Sequence, residues 1–254
     1  MLKFTKNYLF PLFSTIFSHG GSFFYVIYYN HRLLNLLLGR EIILGSIFEK
    51  IENKPGLLML SGGIVSAVML ACLKDMKTEL QAVFFGYRSS KNMDRRSAER
   101  LANYYGVDLK IVDLNGVYGS MPIEYPVKFE KFNDYYIPFL NGVMVSVAVA
   151  CAYYSRRRNV IWGLTSNSSA YYSDCSVNFF KSQSKTVYYG TNSNVRLIAP
   201  FLEVSKAEVV RKAKKLNVPL ELTQSCFSNF EGPCGKCFGC IEREHVLKFN
   251  GNVF

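Results

Sequence analysis

Four of the seven cysteines in this 254-residue chain fall in one short stretch, Cys226, Cys234, Cys237 and Cys240, with the spacing C-x7-C-x2-C-x2-C. Two overlapping C-x2-C knuckles, plus one cysteine a short loop away, can close a tetrahedral set of sulfurs around a metal. Gly232, Pro233, Gly235 and Gly239 are expected to allow the tight turns that aim the thiolates at one point. A closed set of four leaves no open coordination position, so the expected ion is a structural zinc. An iron–sulfur cluster is the alternative, and four unliganded thiols the third reading. The second chemical stretch is Leu60-Ser61-Gly62-Gly63-Ile64-Val65-Ser66-Ala67. An apolar run stops at Ser-Gly-Gly and a helical pattern begins, which predicts a strand, a tight turn and a helix N-terminus. Adjacent glycines let backbone N–H groups converge, and the helix end adds partial positive charge, so the expected ligand is a phosphate or pyrophosphate.

Bulk composition bounds what these stretches can belong to. The chain is 49% hydrophobic and 19% charged, which argues for a packed core and against disorder. A formal net charge of +11 fits either a merely basic protein or one with an anionic partner such as ATP, RNA or DNA, and the charge does not choose among them. An odd number of cysteines rules out complete internal pairing, and their clustering points to a reducing, cytoplasmic setting. Lys3 and Lys6 precede an apolar run at 8–13 that is short and broken by Pro11, so it is not read as a secretory leader. No uncharged apolar stretch reaches the length of a transmembrane helix, and no membrane association is expected.

Elements must position the two chemical stretches. Residues 1–55 are aromatic and poor in motifs, and read as a β-rich N-terminal extension closed by the loop at 53–56. From 57 the rhythm is β–α–β–α: strand 57–60, helix 66–76, strand 80–85, helix 94–105 and strand 108–114. Residues 115–136 read as a long irregular connection. A buried helix follows at 141–154, closed by Arg156-Arg157-Arg158, which suits either a solvated helix C-terminus or an anion site. Strands at 160–164 and 195–199 come next. Ser205 and Glu208 form a capping box for a helix at 206–215. Strands alternating with helices imply a parallel sheet covered on both faces, with ligands beyond the carboxyl ends of its strands.

Further segments stand in order along the chain. They are Ile137-Pro138-Phe139-Leu140-Asn141, then Gly163 through Tyr172-Ser173-Asp174-Cys175, then Pro200-Phe201 followed by Ser205-Lys206-Ala207-Glu208. Together with the Ser-Gly-Gly turn and the four cysteines, they resemble the 7-cyano-7-deazaguanine synthase (QueC) family of PP-loop ATP pyrophosphatases over about residues 57–245. The resemblance implies a Rossmann-like PP-loop fold of the adenine-nucleotide α-hydrolase type for 56–254, and a homodimer. It also implies an ATP- and Mg²⁺-dependent ligase that converts 7-carboxy-7-deazaguanine and ammonia to the nitrile through an adenylate and an amide. By the same resemblance, nucleotide-binding positions are Leu60 through Ala67, Pro138, Asn141, Gly163 and Lys206, with Lys206 a phosphate partner. Tyr172, Asp174 and Cys175 fall on the deazapurine side. Three positions depart from the family pattern: Val65 stands for the PP-loop Asp, Leu140 for an Arg, and Ser168 for an Asp. These departures make a second reading, a divergent scaffold that binds nucleotide, deazapurine or a protein partner without turnover. The N-terminal extension is the candidate surface for such a partner. A PP-loop enzyme acting on RNA is a third reading, against which the Tyr-Ser-Asp-Cys segment and the cysteine spacing speak.

Overall fold

The apolar run before the Ser-Gly-Gly turn forms strand β1 (Gly56–Met59), buried at every position. The computed structural model describes residues 51, 54–87, 92–118, 137–227 and 232–248. The expected β-rich extension therefore lies outside the described residues but for Ile51, Lys54 and Pro55. The chain divides into two units, Met1–Ser46 and Ile47–Phe254, and all described residues belong to the second.

After β1 come α1 (Ile64–Asp75), β2 (Leu80–Gly86), α2 (Asn92–Tyr105) and β3 (Asp108–Asp113). A single helical turn, α3 (Asn115–Tyr118), opens the connection expected to be irregular, and 119–136 lie outside the described residues. Next are α4 (Leu140–Tyr154), β4 (Asn159–Ile161), α5 (Ser166–Tyr171), a 3₁₀ turn (Ser173–Cys175) and α6 (Val177–Gly190). The unit finishes with β5 (Arg196–Ile198), α7 (Lys206–Lys215), a 3₁₀ turn (Leu220–Leu222) and α8 (Phe238–Lys248).

All strand pairs are parallel, in the order β3-β2-β1-β4-β5. On one face α4 and α6 pack through Val145, Ala148, Ala152 and Val187 onto Leu57, Met59, Val83, Val160 and Leu197. On the other, α1 packs against α7 and α2. Helix α1 starts two residues before the expected Ser66, because Gly63 in extended conformation serves as its N-cap. Strand β4 is shorter than the apolar run 160–164 that signalled it. Its backbone leaves the ladder after Ile161, and Trp162 N–H still reaches Ile198 O at 2.9 Å. Among the described residues no helix is long and apolar enough to cross a membrane.

Candidate functional site

The strand order reverses between β1 and β4. A crevice at such a switch point is the standard ligand position of open parallel sheets. A cavity of about 380 Å³ opens at this point. Of the residues expected to bind ligand, Leu60, Ser61, Ser66, Asn141, Gly163, Tyr172, Asp174, Cys175 and Lys206 line it. Gly62, Gly63, Ile64, Val65, Ala67 and Pro138 do not. Ile64 and Ala67 are buried in the core beneath.

The turn itself is built for backbone approach. Gly62 sits at φ +80, and a Cβ there would meet Asp94 O at 2.5 Å and Ser97 Cβ at 3.0 Å. Both the left-handed backbone and the contact with α2 exclude a side chain. Ser61 Oγ lies 3.1 Å from Ser66 Oγ, and Ser66 Oγ–H donates to Gly63 O at 3.0 Å. Helix α1 has no side-chain cap and no acid in its first turn. Its first N–H groups have no intrahelical acceptor, which leaves a cradle of donors at the positive end of the helix. Gly62→Ala should cost about 1–3 kcal/mol through overpacking and backbone strain, read as a lower midpoint in urea unfolding. Val65 stands beside the end of β4: a Cβ built on Gly163 would meet Val65 Cγ1 and Ser66 N, each at 3.4 Å.

Across the cavity, Asp174 is 3% exposed. Its Oδ2 accepts the Asn141 backbone N–H at 3.0 Å, at the start of α4. Its Oδ1 is buried with no partner. Burial raises its pKa above the ordinary 3.8, against the lowering effect of the hydrogen bonds from Asn141. Burial, and then the neighbouring Asp174 charge, push the Cys175 thiol well above its usual range. Cys175 is thus a neutral thiol whose Sγ accepts from Asn141 Nδ2 at 3.4 Å, and not a nucleophile.

Lys206 is held by an acid that the sequence did not single out. Its Nζ lies 2.6 Å from Glu242 Oε2, with side chains only 14% and 18% exposed. Both line the cavity, as does Asp94. Among the described residues the lining thus holds three carboxylates, Asp94, Asp174 and Glu242, against one lysine. Ser168, at the expected acid position, instead supports the start of α5: its N–H donates to Thr165 Oγ1 at 3.4 Å. Leu140, like Ser168, lines the cavity and also packs into the apolar cluster beneath α4. Aromatic walls were also missed: Phe84 and Phe85 from β2, Tyr87 just after it, Trp162 after β4, and Phe227 and Phe238 beside the cysteines. The rule that strand ends form the site was the one signal able to find the first four.

The four cysteine sulfurs lie within 4.8 Å of one another. Cys234 Sγ is 4.0 Å from Cys240 Sγ, and Cys237 Sγ is 3.9 Å from Cys226 Sγ. A tetrahedron with metal–sulfur bonds of about 2.3 Å has edges of about 3.8 Å, so the donor set fits a metal ion. Hydrogen bonding by the backbone N–H groups of Lys236 and Cys237 lowers the Cys234 thiol to about 6, while burial raises Cys240 to about 12. Gly232 and Gly235 adopt the left-handed turns expected of them, at φ +94 and +74. Gly239 differs from expectation. It lies inside α8, where a Cβ would sit 1.9 Å from Ser225 O, so its role is close approach of the helix to the 223–227 segment. That segment reaches the Ser-Gly-Gly turn directly, through Gln224 N–H donating to Gly62 O at 2.9 Å.

Three comparisons bear on this arrangement. A family model described as "Queuosine biosynthesis protein QueC" matches residues 56–251. The 7-cyano-7-deazaguanine synthase of Thermoplasma acidophilum is 32% identical over 206 residues, covering 76% of this chain and 87% of that protein. The synthase of Thermoplasma volcanium is 31% identical over 201 residues, covering 74% and 83%. Among solved structures, an NH3-dependent NAD synthetase from Campylobacter jejuni is similar with a TM-score of 0.49 and 19% identity, covering 72% of this chain and 73% of that one. The family match runs from the first residue of β1 past the end of α8, and so takes in the Ser-Gly-Gly turn, Asp174 and all four cysteines: the chain belongs to the QueC family of queuosine biosynthesis proteins.

Proposed function

We propose that this chain is a 7-cyano-7-deazaguanine synthase, which uses ATP and ammonia to turn the carboxylate of 7-carboxy-7-deazaguanine into a nitrile. The observation that carries this reading is the unpartnered Oδ1 of Asp174, buried at the wall of the switch-point cavity opposite the phosphate turn. A buried carboxylate oxygen with no donor is costly unless a ligand supplies one. A guanine-type edge carries adjacent N–H donors that match a carboxylate.

In this reading the substrate carboxylate attacks the α-phosphorus of ATP, giving an acyl adenylate and releasing pyrophosphate toward the N–H groups of α1. Ammonia displaces AMP to give the amide. A second adenylation on the amide oxygen, followed by loss of AMP, leaves the nitrile. Magnesium would supply charge neutralisation on the phosphates, and Asp94 and Glu242 in the cavity lining would hold it. The four cysteines would hold zinc as a structural ion, with no open position for chemistry.

Val65 and the Lys206–Glu242 pair favour a second reading, in which the scaffold binds deazapurine without adenylating it. Purified protein with ATP, Mg²⁺, ammonium and 7-carboxy-7-deazaguanine divides the two, followed by mass spectrometry of nitrile and pyrophosphate. Nitrile formation by the wild-type chain is the expected result. No turnover until Val65→Asp and Leu140→Arg are introduced together would overturn the synthase reading in favour of the second.

A further inference from the structure

The opposite end of the sheet holds a second cavity, of about 410 Å³, lined by Tyr153, Tyr154, Arg156, Arg157, Arg158 and Asn194 with Val195. It exists because α4 and α6 run back along the strands and both end at the strands' amino ends. Arg158 N–H donates to Pro55 O, just before β1, at 2.9 Å. Helix α4 closes at Ser155, and Arg156 follows in the left-handed conformation at φ +56. The three arginines then diverge. Arg157 Nη1 reaches Gly56 O and Glu79 Oε1, each at 3.4 Å, while its Nε is buried with no partner. Arg158 Nη1 donates to Asn194 Oδ1 at 2.8 Å. Arg156 is exposed; its backbone N–H donates to Tyr153 O at 3.1 Å, and its side chain makes no hydrogen bond or ion pair with any described residue.

Part of this basicity serves the fold. Cations suit a helix C-terminus, and Arg157 and Arg158 tie α4 to β1 and to the turn before β5. That leaves Arg156 and the surrounding aromatic rings without a structural use. Tyr153 and Tyr154 are 51% and 87% exposed. Tyr188 and Tyr189 end α6 and are 43% and 77% exposed, and the turn that follows them is the one Arg158 holds. One tyrosine pair thus shares the cavity lining with the three arginines, and the second ends the helix whose following turn Arg158 holds. Among the described residues the one carboxylate paired with these arginines is Glu79, itself 71% exposed.

We infer that this arginine–tyrosine face is a binding site for single-stranded nucleic acid. Guanidinium groups take the phosphates, and exposed aromatic rings give bases a surface to stack on. The net charge of +11 adds long-range attraction to any polyanion. The tyrosines are what select a strand with unstacked bases over a simple polyanion. The face lies at the other end of the strands from the switch-point cavity, so it stands or falls independently of the proposed reaction.

The test is fluorescence anisotropy of the full chain with a labelled twelve-nucleotide oligouridylate across a salt series. The wild type should bind, with affinity falling steeply between about 50 and 200 mM salt. Arg156→Glu and Tyr154→Ala should each weaken binding about tenfold. Lys110→Glu changes the net charge as much as Arg156→Glu but sits on β3 at the far edge of the sheet, and should change affinity less than twofold. All three side chains are solvent-facing, and unchanged melting curves will confirm that the fold is kept. Absence of binding overturns the inference, as does equal weakening by Lys110→Glu and Arg156→Glu. So does a Tyr154→Ala variant that binds like wild type, or heparin that binds as tightly as the oligonucleotide.

Discussion

Replacing Cys234 by Ser is expected to lower the melting temperature by roughly 10 °C, the scale of a lost structural metal in a domain of this size, and to weaken ligand binding in the switch-point cavity as well. The first effect follows from the donor set: with four sulfurs within 4.8 Å, a single bound ion would tie Cys226 to the turn that carries Cys234, Cys237 and Cys240. The second follows from what that piece touches. Helix α8 begins at the cluster and carries Glu242 to Lys206. Arg243 on the same helix donates to Thr223 Oγ1 at 2.7 Å and Leu220 O at 2.8 Å. Gly239 brings the helix against Ser225, and the next residue back, Gln224, bonds Gly62. A cluster that lets go therefore loosens the wall behind the phosphate turn. Metal analysis should give about one zinc per wild-type chain and almost none in the variant. A metal-free wild-type protein with an unchanged melting curve would remove the claim.

Elements whose local chemistry agrees with their fold were legible in the sequence, and those held by distant packing were not. The apolar run, Ser-Gly-Gly turn and amphipathic restart gave β1 and α1 nearly to the residue. Helix α7 was placed at Lys206–Lys215, because Ser205 and Glu208 cap it reciprocally. Helix α6 went unread. Its residues Phe179, Phe180, Val187, Tyr188 and Tyr189 favour strands, and what makes it helical is burial of Val187 and the two phenylalanines against the α4 face. The one local signal was Ser176, whose side chain caps Phe179 N–H at 3.2 Å. Among site residues, the cysteines declared themselves by spacing alone. Glu242 did not, because it lies 36 positions from Lys206 on a different helix, and no short pattern links them. Sequence also treated Val65, Leu140 and Ser168 as three losses at one site. Geometry keeps Leu140 and Ser168 in the cavity lining, although Leu140 also packs into the apolar core and Ser168 also supports a helix start, while Val65 stands beside Gly163 at the end of β4 without lining the cavity.

Asp174→Asn is expected to lower affinity for a 7-deazaguanine ligand about 100-fold, the cost of losing charge-assisted hydrogen bonds at a buried site. The argument is one of lone pairs. As a carboxylate, Asp174 accepts from Asn141 through Oδ2 and presents Oδ1 as a second acceptor. Asparagine offers one acceptor and puts an N–H₂ where the other stood, so either the Asn141 N–H or the ligand N–H meets a donor. The same reasoning fixes the pH dependence. Burial raises the Asp174 pKa above 3.8, and protonation turns one oxygen into a donor. Affinity is therefore full above the raised pKa and falls as the pH drops through it, with proton release on binding within that window. Stability of the ligand-free chain runs the other way. A carboxyl whose folded pKa is raised contributes stability that is complete below 3.8 and lost as the pH rises through the folded value. At neutral pH the Asn variant should thus melt no lower than wild type while binding far more weakly. Calorimetric titration across pH 4.5–8, beside melting curves of the free proteins, reads both effects. A variant that binds like wild type, or a wild-type affinity flat across that range, would take Asp174 out of the substrate site.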